Sequence, residues 1–486
     1  MKKMTKIMGA SALSMFALAA TISGCVGDTT LSYPQVATGQ ETLYNVEGQA
    51  VDEIKVGELY YGQDANYLAG AKMSYRDNGD GTVSDLNTGL MWQMVPIKEG
   101  FTWEGAKEYC EGLELAGYDD WRMPSAKELF SISDFSTGWP YIDLEYFKLV
   151  DSERIGKDEQ YWTDHIYVGT IGHAGSATAF GVNHGTGHIK AYGAGFTVGE
   201  DGQKIEVQAP TRPQQSGDRS QPQASQGQGQ RPQRDSVERA DNTQRPQARQ
   251  GQRQGQQAQG KRPERDSAQG SRGALSQKVS QGQGQRQAPQ GGGQSAMGGQ
   301  GGRSKKYVRA VRGDVYGVNK FVDNGDGTVT DKATGLMWSK EDSQEGMDWV
   351  VSLQYAESSE LAGYDDWRLP NVKELQGILS YDYAPAATDP AKVGAAIDPI
   401  FSCTPIENEN GDKDYAYYWT GTSALFQRGR PYYYAWYVAF GRAVSPTGED
   451  SHGAGAVRFD TKQSGGPDGE DKARIYNYVR LVRNVM

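Results

Sequence analysis

Cysteine is scarce in this chain: 486 residues hold three, Cys25, Cys110 and Cys403. That excludes a disulfide-stapled scaffold, and the lack of any CxxC, CxxCH or zinc-finger spacing argues against haem and structural zinc. No cofactor or metal is therefore expected. Histidine is nearly as rare, with five in all. Long apolar runs are missing except from Ile7 to about Ala20, which is too short to span a bilayer. Phe, Tyr and Trp are absent from Ala209 to Lys306, a stretch of Gln, Gly, Arg, Ser and Pro. Such a stretch cannot bury enough apolar surface to offset ordering entropy, so residues 209–304 are expected to be a disordered insertion.

What is present begins with an address. Lys2, Lys3 and Lys6 precede the short apolar run, as in a secretory signal. The run ends Ile22-Ser23-Gly24-Cys25, which resembles the lipobox of bacterial lipoproteins. The resemblance implies cleavage after residue 24, acylation of Cys25 and a tether over 25–37. Acyl chains hold a protein to a membrane by about 0.8 kcal/mol per buried methylene. Val26 rather than Asp follows Cys25, which in the resembling lipoproteins permits export to the outer membrane. The expected location is lipid-anchored, at the outer membrane or cell surface. Cys110 and Cys403 remain; they can pair or stay as lone buried thiols.

The charge is unevenly spread. The whole chain carries -11, yet Ala209–Lys306 has seventeen basic and six acidic side chains, a net of +11, leaving -22 elsewhere. A basic segment on an acidic body suggests a polyanion partner or self-association, with a solvated spacer as the plain alternative. No specific nucleic-acid partner is indicated. Ser225 and Ser280 each begin SQGQGQR, but glycine does not fall at every third place, so this is not a collagen helix.

The body is written twice. Glu114–Pro124 reads ELAGYDDWRMP and Glu360–Pro370 reads ELAGYDDWRLP, 246 positions apart. DNGDGTV begins at Asp77 and again at Asp323, and both repeats continue to Thr-Gly-Leu-Met-Trp, at Trp92 and Trp338. A fixed offset across two stretches implies a duplication. Tyr307–Arg312 (YVRAVR) and Tyr478–Arg483 (YVRLVR) look like the closing strands of the two repeats. On that reading the insertion lies inside the first repeat, ahead of its last strand. Loop closure grows logarithmically with length, so lengthening a loop from about 20 to about 100 residues costs about 1.4 kcal/mol.

Local signals fill in each repeat. DNGDGTV reads as a tight turn feeding a strand. As a calcium loop it lacks the acid at its third position and the Glu at its twelfth: Gly79 and Thr88 stand there, and Gly325 and Thr334 in the second repeat. A helix is predicted over Trp103–Leu115 and Trp349–Leu361, capped by Thr102 or Asp348, with Gly117 or Gly363 past its end. Ser125 with Glu128, and Asn371 with Glu374, form capping-box patterns that open a second helix. Asp119, Asp120 and Arg122, with Asp365, Asp366 and Arg368, read as structural salt bridges, because adjacent carboxylates do not face each other across a substrate.

These blocks, with Tyr161-Trp162-Thr163, Tyr418-Trp419-Thr420 and the closing YVRxVR, resemble the Lcl C-terminal domain family, named for a bacterial collagen-like adhesin. The resemblance covers both repeats and leaves out the insertion. It implies an α+β fold of two tandem C-type lectin-like domains, one over 38–208 plus 305–313 and the other over 314–486. The Arg-x-Pro turn also resembles the formylglycine-generating enzyme branch of that fold, whose paired active-site cysteines are absent here.

Candidate binding residues come from Tyr432–Phe440, YYYAWYVAF. Alternation puts Tyr432, Tyr434, Trp436, Val438 and Phe440 on one face and Tyr433, Ala435, Tyr437 and Ala439 on the other. With the first face as core, Tyr433 and Tyr437 beside Arg428 and Arg430 would offer a sugar-stacking or anion-binding surface. Matching Ala439 to Ala179 sets Ser176 and Ala177 opposite Trp436 and Tyr437. The first repeat gathers His165, His173, His184 and His188; the glycines of His184-Gly-Thr-Gly-His188 argue for a loop rather than a helical metal pair.

The sequence thus predicts a surface-anchored lipoprotein that binds or adheres, with no catalytic residues. The resembling adhesin suggests sulfated glycosaminoglycans or other acidic glycans. The competing readings are a structural or assembly protein of the envelope and an enzyme of unknown chemistry on the same fold.

Overall fold

Each repeat opens with the same hairpin, closed by its own aspartates. Asp77 accepts from Gly79 N–H at 2.8 Å and Asp80 from Thr82 N–H at 3.1 Å; Asp323 with Gly325 and Asp326 with Thr328 do the same at 2.9 and 3.0 Å. Gly79, Gly81, Gly325 and Gly327 all have positive φ, which is why the turn is written with glycine. In this computed structural model the described residues are 31–150, 159–171, 177–198, 204–206, 305–425, 432–464 and 472–485. The signal segment with Cys25, the insertion 209–304, His173, Arg428 and Arg430 lie outside them.

The hairpin strands Tyr75–Asp77 and Thr82–Asp85 continue into Met91–Gln93, and the closing Val311–Arg312 completes a four-stranded antiparallel sheet. Phe321–Asp323, Thr328–Asp331, Leu336–Ser339 and Val482–Asn484 repeat it. The chain after the insertion therefore returns to the first repeat.

The first helix is shorter than its pattern suggests, Trp103–Glu111 and Trp349–Glu357. Thr102 and Asp348 cap them as expected, accepting from Gly105 and Val351 N–H. Leu-Ala-Gly lies beyond the helix because Ala116 and Gly117 take φ of 56° and 80°, and Ala362 and Gly363 of 55° and 79°, a left-handed pair that no α-helix carries. The second helices, Ala126–Ser131 and Val372–Gly377, have the full capping box.

The repeats meet in one six-stranded antiparallel sheet, ordered Tyr417–Ala424, Tyr434–Ala439, Val457–Thr461, Ile189–Gly193, Thr178–Asn183, Gln160–Tyr167. The join is the pair Val457 with Ile189. One apolar cluster holds Phe135, Tyr141 and Phe180 together with Trp436, Val438 and Phe440 from the second repeat. A separate cluster under each first helix belongs to one repeat alone. The two repeats group into a single unit. The architecture is mostly sheet with few short helices. The two tandem repeats share a sheet and a core.

Residues 36–73 precede the first hairpin but pack on the second repeat. Asp64–Tyr67 forms a short helix there, and Lys373 Nζ donates to Ala37 O at 2.9 Å.

Candidate functional site

The repeated Tyr-Asp-Asp-Trp-Arg stretch builds a node at the start of each second helix. Arg122 makes a two-pronged pair with Glu128 at 2.7 and 2.6 Å, and Arg368 with Glu374 at the same distances. Each glutamate also accepts from the cap residue's N–H, Ser125 or Asn371, at 2.8 Å. Arg312 pairs with Asp120 and lies 3.8 Å from the Tyr118 ring centroid; Arg483 pairs with Asp366, 3.9 Å from Tyr364. The other closing arginines, Arg309 and Arg480, are buried and each donates to three main-chain carbonyls. Asp120, Glu128, Asp366 and Glu374 are each paired with an arginine, so these carboxylates position chain.

Next to each node stands a lysine, half-buried Lys127 at the first and buried Lys373 at the second. Lys127 Nζ donates to Asn319 Oδ1 at 2.7 Å and Gly317 O at 3.2 Å; burial pushes its pKa down to about 8. Lys373 Nζ donates to Ser131 O at 2.7 Å and Ala37 O, and reaches Met73 Sδ at 3.6 Å; burial pushes it down to about 7. Each lysine thus touches the chain that leads into the hairpin of the other repeat.

The two helix starts differ in what covers them. At the second, residues 37–40 run alongside Phe135 and Ser423. Phe135 N–H donates to Thr38 O at 2.8 Å, and Gln40 bonds Ser423 N–H and O at 2.7 and 2.9 Å. Asp64, raised to about pKa 6 by burial, accepts from Thr38 and Thr422 hydroxyls at 2.7 and 2.8 Å, while Thr422 Oγ1 accepts from Val372 N–H. At the first start, His165 takes the place of Thr422, its Nδ1 accepting from Ala126 N–H at 3.2 Å. Instead of bound chain there is an open cleft of about 290 Å³. His165, Tyr381, Asp382, Asp398 and Val318 line it, with Lys127 and Asn319 at its base. His165 rests on Tyr381, ring centroids 4.7 Å apart.

The predicted aromatic surface is corrected. Tyr433 and Tyr437 are 2% and 0% exposed. Both faces of Tyr434–Ala439 are core: Trp436 faces the shared cluster, and Tyr437 packs beneath Trp349–Glu357, stacked on Tyr417 at 4.5 Å. Strand register also corrects the alignment of the repeats. Trp419 pairs with Tyr437 and Trp162 with Gly181, so Tyr437 matches Gly181 and Trp436 matches Phe180. Arg428 and Arg430 lie outside the described residues.

His184 is buried, and its ring nitrogens have no hydrogen-bond partner among the described residues; burial, then Arg309 and Lys373, push its pKa well down. His188 contacts Thr186 at 2.8 Å. Among the described residues no three His, Cys, Asp or Glu gather as for a metal. Cys110 and Cys403 are both free thiols, Cys403 lying 3.4 Å from Arg480. Sequence reasoning missed Lys127, Lys373, Asp382 and Asp398. The lysines were visible in the repeated Lys-Glu-Leu block, whereas Asp382 falls where the repeats diverge.

The chain belongs to the Lcl C-terminal domain family, whose model matches residues 81–198 and 327–483, more than half its length. The first match stops ahead of the insertion, and the structure supplies the closing strand beyond it. No curated protein and no solved structure matches the chain.

Proposed function

We propose that this protein is an exported, lipid-anchored surface protein that binds acidic polymers, sulfated or otherwise acidic glycans among them, through the basic segment 209–304 carried on a folded body. Family membership suggests a surface or adhesin-like role. The C-type lectin-like reading of the body and the acylation of Cys25 are part of the same proposal. The observation that carries it is the matched closure of the two repeats. Tyr307 O accepts from Trp162 N–H at 2.9 Å and Tyr478 O from Trp419 N–H at 3.0 Å, although about a hundred residues precede only the first. A fold that closes alike with and without the segment can carry it as an appendage, and a net +9 on an acidic body, fifteen basic against six acidic side chains, suits a polyanion.

The cleft supports binding over catalysis. Ser125 Oγ accepts from Glu128 N–H at 3.1 Å and so serves the helix start, while His165 Nδ1 faces both Ala126 N–H at 3.2 Å and Asp164 Oδ1 at 2.9 Å. The test is polyanion binding across a salt series, with and without Ala209–Ser304. Loss with the segment supports the proposal, and unchanged binding overturns it.

A further inference from the structure

The cleft at the first helix start is the counterpart of a site that the chain fills with its own backbone at the second. Wall residues 378–382 stand 246 positions after 132–136, and Lys127 and Asn319 that far from Lys373 and Met73. Asp398 follows Ile397, which bridges Leu379 as Ile142 bridges Ser133, so Asp398 matches Asp143. The occupant of the filled site is Ala37-Thr38-Gly39-Gln40. Gly39 has φ of 85°, and a Cβ there would meet Asp134 Oδ1 at 2.8 Å and Met73 Cε at 2.9 Å, so the site demands glycine. The next residue's amide makes the bonds to Ser423. Phe135 N–H takes Thr38 O; its counterpart Tyr381 N–H has no backbone partner among the described residues.

The open site carries its carboxylates in different places: Asp382 stands where the filled site has Ser136, Ser380 where it has Asp134, and Asp398 keeps the place of Asp143, so two carboxylates line the open cleft. Such a wall selects a basic side chain beside the Gly-Gln. The chain writes Gly-Gln-Arg at 229–231, 251–253 and 284–286.

We propose that the cleft lined by Tyr381 and His165 binds an extended Gly-Gln-Arg segment of a second molecule of this chain, the backbone pairing with Tyr381 and the arginine meeting Asp382 and Asp398. This linkage is distinct from the polyanion contact and builds chains of molecules head to tail.

The test is sedimentation velocity of the full chain over a concentration series. Association is expected, and the synthetic peptide of residues 280–288 disperses it. Val318→Trp, at an exposed cleft wall, weakens association by about tenfold or more. Combining Asp382→Lys with Asp398→Lys weakens it similarly, as does combining Arg231→Glu, Arg253→Glu and Arg286→Glu; mixing the two charge-reversed proteins restores it. A chain that stays monomeric, a peptide without effect, or association unchanged in the cleft variants overturns the proposal. Polyanion binding is expected to survive the cleft variants, so failure of one proposal is distinguishable from failure of the other.

Discussion

Lys127 of the first repeat donates to Asn319 at the head of the second across 2.7 Å, while Lys373, 246 positions on, reaches Met73 at the head of the first. The exchange is reciprocal, and it accompanies the Val457–Ile189 strand join and the packing of Trp436 edge-on against Phe135 and Tyr141, both at 5.4 Å. Neither repeat completes its core alone.

The described body should therefore unfold as one cooperative unit. Calorimetry is expected to show a single transition for the repeats, and residues 314–486 made alone, lacking Phe135, Tyr141 and residues 37–40, should show no native near-ultraviolet dichroism. Two resolved transitions would contradict the shared core.

The two arginine nodes should not be equal. Arg368 and Glu374 are 5% and 1% exposed at their side chains, whereas Arg122 is 29% exposed. Arg368→Ala leaves a buried carboxylate unpaired and should cost about 3–5 kcal/mol in urea unfolding. Arg122→Ala should cost clearly less, because water reaches Glu128's vacated partner position. Equal losses would count against this burial argument.

Stability should dip near pH 6 to 7. Burial raises Asp64 from 3.8 to about 6, so the folded state holds extra proton between those values, and that stabilisation is lost as pH rises through about 6. Burial lowers Lys373 from 10.5 to about 7, so its contribution is present above 10.5 and lost as pH falls through about 7. Asp64→Asn should flatten the fall between pH 4 and 6, and Lys373→Met the rise above pH 7. Chemical-denaturation midpoints across pH check both slopes.

Tyr437 should behave as core. Tyr437→Ala removes a fully buried ring stacked on Tyr417, at about 3–5 kcal/mol. A variant that keeps its stability and loses only ligand binding would return Tyr437 to a surface role.

Much of the fold was legible in the sequence because the repeat is literal: the hairpin, both capping boxes and both closing strands sit where identical residues predict them. The helix ends were misread because Ala116 and Ala362 take a left-handed conformation that alanine rarely adopts, so only Gly117 and Gly363 looked like terminators. The binding surface was misplaced for a different reason. Alternation in Tyr432–Phe440 says that two faces exist, but not that Trp349–Glu357 covers the second. The cleft was invisible because residues 36–40, remote in sequence from the second helix they cover, fill one site and leave its twin open.

The most direct measurement is binding of the soluble protein to a panel of acidic and neutral glycans over a salt series, with Ala209–Ser304 present or removed. The account predicts binding to the acidic polymers only, falling steeply with salt and lost with the segment, since fifteen basic side chains leave with residues 209–304. Binding that persists undiminished in the shortened protein, or that ignores salt, would contradict it.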